Sequence, residues 1–166
     1  MDGRRENTVI GLDPGSRKTG WGVLREQSGV ISLLNCGVIR PKAADFSSRL
    51  GEICSELSRI LQEFQPAEAA IENLFTCKNI ASALKLGQAR GAAVGICSSM
   101  AVRVFDYEPA LIKKNLTGNG RAEKKQVSFM VGRLLGVKEN WAEDAGDALA
   151  AAICHLNMRR MRKFNI

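Results

Sequence analysis

The chain has 166 residues, with 24 Lys or Arg against 17 Asp or Glu, a formal charge of +7 and a pI near 9.4. That length is enough for one domain with a buried core, the basic balance favours a polyanionic partner, and no apolar run is long enough to span a membrane. Five cysteines (Cys36, Cys54, Cys77, Cys97, Cys154), an odd number without a CxxC pair, suggest neither a disulfide framework nor a zinc site and point to a reducing, cytoplasmic compartment. The polar opening MDGRREN argues against a signal peptide.

Residues 1–166 read as a single domain, with a polar extension over 1–7 and a basic tail over 158–166. Thr8 to Leu24 (TVIGLDPGSRKTGWGVL) reads as two strands joined by a Pro-Gly-Ser turn, the first buried on both faces because Val9, Ile10 and Leu12 lie on both sides of the pleat. Val30 to Arg40 is a third strand, closed by Pro41, so the three strands are expected to form an antiparallel meander. Leu50, Ile53, Cys54, Leu57, Ile60, Leu61 and Phe64 recur at helical spacing, and Pro66 stops that helix. Cys54 and Cys97 read as small core fillers.

Ala69 to Glu72 repeats the grammar of Val9 to Asp13, a short apolar strand ending in an acid. Ile80 to Met100 reads as a long helix with Gly87, Gly91 and Gly95 at every fourth position. Each glycine costs about 1 kcal/mol of helix propensity relative to alanine, so a close helix contact is expected, within the fold or between subunits. Val102 to Asp106 is a further strand, and Pro109 opens a helix carrying Lys113 and Lys114. Ala122 to Leu135 is a helix with Val127, Met130, Val131, Leu134 and Leu135 on one face. Its opening turn carries Lys124 and Lys125, which oppose the helix dipole and so do not stabilise the helix itself. Glu143 to Met161 is the last helix, and its His155 is expected to be structural or surface-exposed.

The chemistry rests on carboxylates. Asp13 is either a turn-former before Pro14-Gly15 or an acid set at a strand end for a purpose. Asp144 and Asp147 share a helix face about 5 to 6 Å apart; they either complement the dipole of the first turn or form a deliberate pair. Two strand-end acids combined with a helix-start pair form a rarer pattern than either alone. Such a set can hold two magnesium ions about 4 Å apart for phosphodiester hydrolysis.

The hairpin alone resembles both the opening of RNase H-like nucleases and the first phosphate loop of actin and sugar-kinase ATPases. VIGLDPGSRKTGWGVL, AAIENLF with KNIASALKLGQARG, GNGRAEKKQV and AEDAGDALAAAICH, in this order and at these separations, resemble the RuvC Holliday-junction resolvases. The resemblance implies an α/β, RNase H-like fold with a mixed five-stranded sheet flanked by helices on both faces. It also implies a homodimer that makes paired symmetric cuts in strands of like polarity at a four-way DNA junction, in recombination and repair. Magnesium is the implied cofactor, two ions per subunit, with manganese substituting; a branch-migration helicase complex is the implied partner. The family's metal-binding acids fall on Asp13, Glu72, Asp144 and Asp147. Lys113 and Lys124 match basic residues near the scissile phosphate, with Lys114, Arg121 and Lys125 as further DNA contacts, and Phe75 matches an aromatic that stacks on an unpaired base. Two other readings remain at this point: an ATPase of the sugar-kinase type, for which the chain lacks a second domain's length, and a non-catalytic DNA-binding module, in which four acids would repel phosphate.

Overall fold

Strand β1 (Thr8–Asp13) is the centre of the sheet in the computed structural model, which describes residues 7–73 and 79–163. β2 (Thr19–Gln27) and β3 (Val30–Ile39) follow as the expected antiparallel meander, while β4 (Glu68–Glu72) and β5 (Arg103–Tyr107) add in parallel on the other side of β1. The order is β3-β2-β1-β4-β5. Parallel pairing needs crossovers, and helices α1 (Phe46–Phe64) and α2 (Ile80–Ser99) lie in the two connections. Three further helices, α3 (Pro109–Thr117), α4 (Lys124–Leu135) and α5 (Glu143–Lys163), complete the described chain.

The alternation of side chains along the strands sorts the core into two layers. Ile10, Leu12, Val23 and Ile71 pack on Ile53, Leu57 and Leu61 of α1 and on Ala93 and Cys97 of α2. Val9, Leu24, Ala70 and Tyr107 point the other way, onto α3, α4 and α5. Both faces of the mixed five-stranded sheet are thus covered by helices, as expected, and Thr8 to Leu12 are buried throughout. Among the described residues no helix is long and apolar enough to cross a membrane.

Local signals set the helix ends. The Asp45 carboxylate accepts from the Ser48 amide at 2.9 Å, so α1 begins at Phe46, earlier than the apolar stripe from Leu50 suggests. It ends on Gln65 in the left-handed region, just before Pro66. In α4 the buried stripe is Val127, Val131 and Leu135; Leu134, expected among them, is 43 % exposed because a residue one position off that stripe turns away from α5. Cys97 is a core filler as expected, whereas Cys54 is only half-buried. Gly87, Gly91 and Gly95 face away from the buried side of α2 (Ala89, Ala93, Cys97), and a Cβ at any of them would meet open space. The close contact expected within the fold is therefore absent among the described residues.

Close approach occurs instead under α5. Gly11 pairs with Gly22 across β1 and β2, and Gly20 pairs with Asp13. A Cβ on Gly11 would lie 1.8 Å from the Ala148 carbonyl oxygen, one on Gly20 2.0 Å from that of Asp144, and one on Gly22 2.4 Å from a Leu149 methyl. These three glycines form a bare floor for α5: its backbone rests directly on Gly11 and Gly20, and its Leu149 side chain seats on Gly22.

Gly11→Ala should therefore lift α5 and destabilise the protein by about 3 kcal/mol or more, as overpacking against rigid backbone does. Gly51→Ala, on an exposed part of α1 where a Cβ meets nothing, should instead stabilise by about 1 kcal/mol through propensity alone. Urea unfolding midpoints compare the two.

Candidate active site

The floor decides where the acids meet. Along β1, Val9, Gly11 and Asp13 share the face turned to α5, and along β4 Glu68, Ala70 and Glu72 share the same face. Parallel pairing sets Leu12 opposite Ile71, so Asp13 and Glu72, each one step further on, come off the same end of the sheet side by side. The first turn of α5 lies over Gly20, the cross-strand partner of Asp13, which brings Asp144 and Asp147 to the same place. Glu143 and Asp144 also sit in the positive first turn of α5, where the dipole favours them.

Electrostatics show how tightly they are gathered. Burial, then the negative charges of Asp147, Glu72 and Asp144, push the Asp13 carboxyl up to about 7. Glu72 is also raised, by burial and by Asp147, against the opposing pull of Lys124 and Lys113. Lys124 is the cation that balances the group here: its Nζ donates to Glu143 at 2.6 Å and to Asp147 at 3.1 Å, and these bonds hold its ammonium above the ordinary lysine range despite partial burial. Lys18 approaches Asp144 at 4.0 Å.

Among the described residues no three acidic, histidine or cysteine side chains already enclose a point where one ion would sit. The carboxylates are close enough to raise the proton affinity of Asp13 and Glu72, yet not closed into a shell. Their chemistry nonetheless fits a hard divalent cation: the donors are all oxygen, their mutual repulsion is only partly offset by Lys124, and they are partly withdrawn from water.

Of the basic residues expected near DNA, Lys113 and Lys124 lie close enough to act on Glu72. Lys125 joins Lys124 and Asp147 in lining a cavity of about 420 Å³ that also includes Ser128, Glu139, Trp141 and Gly146. Lys114 and Arg121 are exposed on neighbouring segments and are not drawn into the acid group. Phe75 lies outside the described residues. Two residues near the site escaped sequence reasoning, Lys18 and Glu143. Glu143 adjoins Asp144 in the sequence but points to Lys124, a pairing that only the packing of α4 beside α5 creates. The basic tail begins as a staple: Arg159 and Arg160 bond to Glu26, and Arg159 also to Glu68.

Residues 9–155 match the family described as Crossover junction endodeoxyribonuclease RuvC. The chain belongs to the RuvC family. Its relatives include the crossover junction endodeoxyribonuclease RuvC of Oleidesulfovibrio alaskensis, 61% identical over 94% of both chains. Among solved structures, Thermus thermophilus RuvC superposes with a TM-score of 0.85 at 31% identity, covering 93% of this chain and 96% of that one. T. thermophilus RuvC in complex with Holliday junction substrate superposes with a TM-score of 0.84 at 29% identity, over the same shares. The fold is thus RNase H-like, and RuvC nucleases are in general metal-dependent. Neither the ATPase nor the non-catalytic module survives the family match.

The raised Asp13 carboxyl carries a pH signature in protein stripped of metal. Its folded pKa, about 7, exceeds the ordinary 3.8, so the folded state binds the proton more tightly and stability falls as pH rises between those values. Asp13→Asn removes that penalty. In chelator, the variant should melt above the wild-type protein at pH 8, and the advantage should shrink as pH falls through about 7 and be gone below the ordinary value of 3.8; calorimetric scans at about pH 8 and about pH 5, the second showing the smaller gap, check it.

Proposed function

We propose that Asp13, Glu72, Asp144 and Asp147 are the metal-holding centre with which this crossover junction endodeoxyribonuclease resolves four-way DNA junctions. The observation that carries this reading is the convergence of four acids from two strand ends and one helix start, in a chain whose net charge is +7. An acidic point on a basic protein repels the phosphate it must approach unless a cation neutralises it. Magnesium, two ions per subunit, would be held by these four side chains, with manganese able to replace it; bound there, it supplies water activation and stabilisation of the leaving oxygen.

The chain's own residues supply the rest. Lys113 and Lys124 bring positive charge to the scissile phosphate, and Lys124 is oriented by its bond to Glu143, outside the four acids. Lys114, Arg121 and Lys125 extend that charge along the strand, and Phe75, directly after the acid-bearing β4, stacks on a base at the crossover, where such a contact is worth roughly 1 to 3 kcal/mol.

The reading includes a homodimer, because a two-fold pair of sites matches a junction that needs two cuts. In its favour, Ile80 and Leu84, 81% and 64% exposed, continue along α2 into the open row Gly87, Gly91 and Gly95. Apolar bulk followed by bare backbone is a surface suited to a second helix. A branch-migration helicase complex as partner and a cytoplasmic setting complete the proposal.

Single Asn replacements at Asp13, Glu72, Asp144 or Asp147 should lower cleavage of a synthetic four-way junction in magnesium by at least about 100-fold, that is by about 2.7 kcal/mol or more of transition-state stabilisation. Junction binding in calcium should stay level or tighten, since each change also removes negative charge. A variant that keeps near-normal turnover takes its residue out of the centre. Gly91→Leu should shift the protein towards monomer by light scattering and turn linearised cruciform plasmid into nicked plasmid; a dimer that still linearises it would place the interface elsewhere.

A further inference from the structure

Two glutamates on β4 face α5. Glu72 stands in the acid group, and Glu68 lies four residues earlier, 5% exposed. Helix α5 answers each of them. Asp147 acts on Glu72, and His155, eight residues further on and 1% exposed, places Nε2 2.9 Å from the Glu68 carboxylate. The other ring nitrogen, Nδ1, is 2.7 Å from the hydroxyl of Tyr107 on β5. An ionised carboxylate can only accept, so Nε2 donates to Glu68, and in the neutral ring Nδ1 accepts from Tyr107. Arg159, one turn beyond His155, adds a second bond from α5 to Glu68 at 2.9 Å.

The lengths coincide. Four residues of strand rise roughly 13 Å, and eight residues of helix about 12 Å. A directional bond at the Glu68 end therefore determines what stands opposite Glu72 at the other. A slip of α5 by one residue would carry Asp147 about 1.5 Å along the axis and turn it by about 100°.

Apolar packing gives that register little direction at the Glu68 end. Over Gly11 and Gly20 the helix presents Ala148, Ala152 and its own backbone, small groups on bare backbone, and the Leu149 side chain seated on Gly22 is the one large group over this floor. Burial against such a floor is non-directional. Hydrogen bonds are not, and three buried polar groups would be costly here unless each met its partner.

We infer that Glu68, His155 and Tyr107 form a positioning relay that registers α5 on β4 and β5, so that the Asp147 end of the helix meets Asp13 and Glu72 in the geometry that binds the metal. None of the three touches the metal or DNA; they act through the helix. The inference rests on reading the acid group as the metal centre, and its test separates the two.

The experiment compares wild-type protein with His155→Leu, His155→Gln and Tyr107→Phe. Manganese binding to the DNA-free protein is read by calorimetry, cleavage of a four-way junction is followed against magnesium concentration, and junction binding is measured in calcium. His155→Leu should weaken manganese binding and lower kcat by about tenfold or more, the scale of lost outer-shell support around a metal, while junction affinity in calcium is unchanged. His155→Gln, whose amide can donate to Glu68 and accept from Tyr107, should recover most of both. Tyr107→Phe should shift both in the same direction by a smaller factor.

If His155→Leu does not fold, Tyr107→Phe, which removes one oxygen and keeps the ring, decides the matter by the same two readouts. Variants that melt earlier yet, below their transitions, bind manganese and cut like the wild-type protein would overturn the relay and leave the metal centre standing. A wild-type protein that binds no manganese and cuts no junction overturns both.

Discussion

Like charges brought together in a place partly withdrawn from water repel, and the first consequence is visible at Asp13, whose carboxyl is pushed up to about 7 by burial and by its three acidic neighbours. Left to itself such a group would spread apart. What prevents this is that each acid is fixed to an element whose position is decided elsewhere: Asp13 and Glu72 by the parallel register of β1 and β4, Asp144 and Asp147 by the seat of α5 on three glycines. The strain at the site is held by packing remote from it. This is the usual relation between a functional centre and its scaffold, with local cost offset by the rest of the fold.

Helix α5 connects the two ends of that arrangement. Its middle, from Ala148 to Cys154, is buried and rich in alanine, which lets the helix lie close to the sheet. Its beginning carries the acids. Past the middle it is tied by ions and hydrogen bonds: His155 to Glu68 and Tyr107, Arg159 to Glu68 and Glu26, Arg160 to Glu26 and the Gly29 carbonyl. The hydrogen bond from His155 and the bond from Arg159 hold the Glu68 carboxyl down to about 2 despite its burial. Its favourable contribution is thus present above the ordinary glutamate range and fades only as the pH falls towards 2.

The outer surface of α2 has a different character. Most helices of this size hide their apolar side against the sheet and turn charge outward. Here the inward side is Ala89, Ala93 and Cys97, and the outward side carries Ile80, Leu84 and a row of glycines open to solvent. The glycine spacing was legible as a demand for close contact. Whether that contact lay inside the chain was not, because helical periodicity reports which residues share a face and says nothing about what the face meets.

The alternation and periodicity of apolar residues determined the strands, the helices and their order, since both signals are local and each element must hide one face. The four acids stood out in the sequence for the same reason: each ends a strand or begins a helix, positions that the local pattern marks. Lys124 and Lys125 were visible as cations set against the dipole of their helix, and Lys113 through the resemblance to the RuvC family. Only the tertiary structure decided that Glu143 would hold Lys124, that His155 would be buried between a glutamate 87 positions earlier and a tyrosine 48 positions earlier, and that the basic tail would begin as a staple. These are contacts between side chains of distant elements. They depend on the strand order and on the axial position of α5 over the glycine floor, and neither quantity is written in any one stretch of residues.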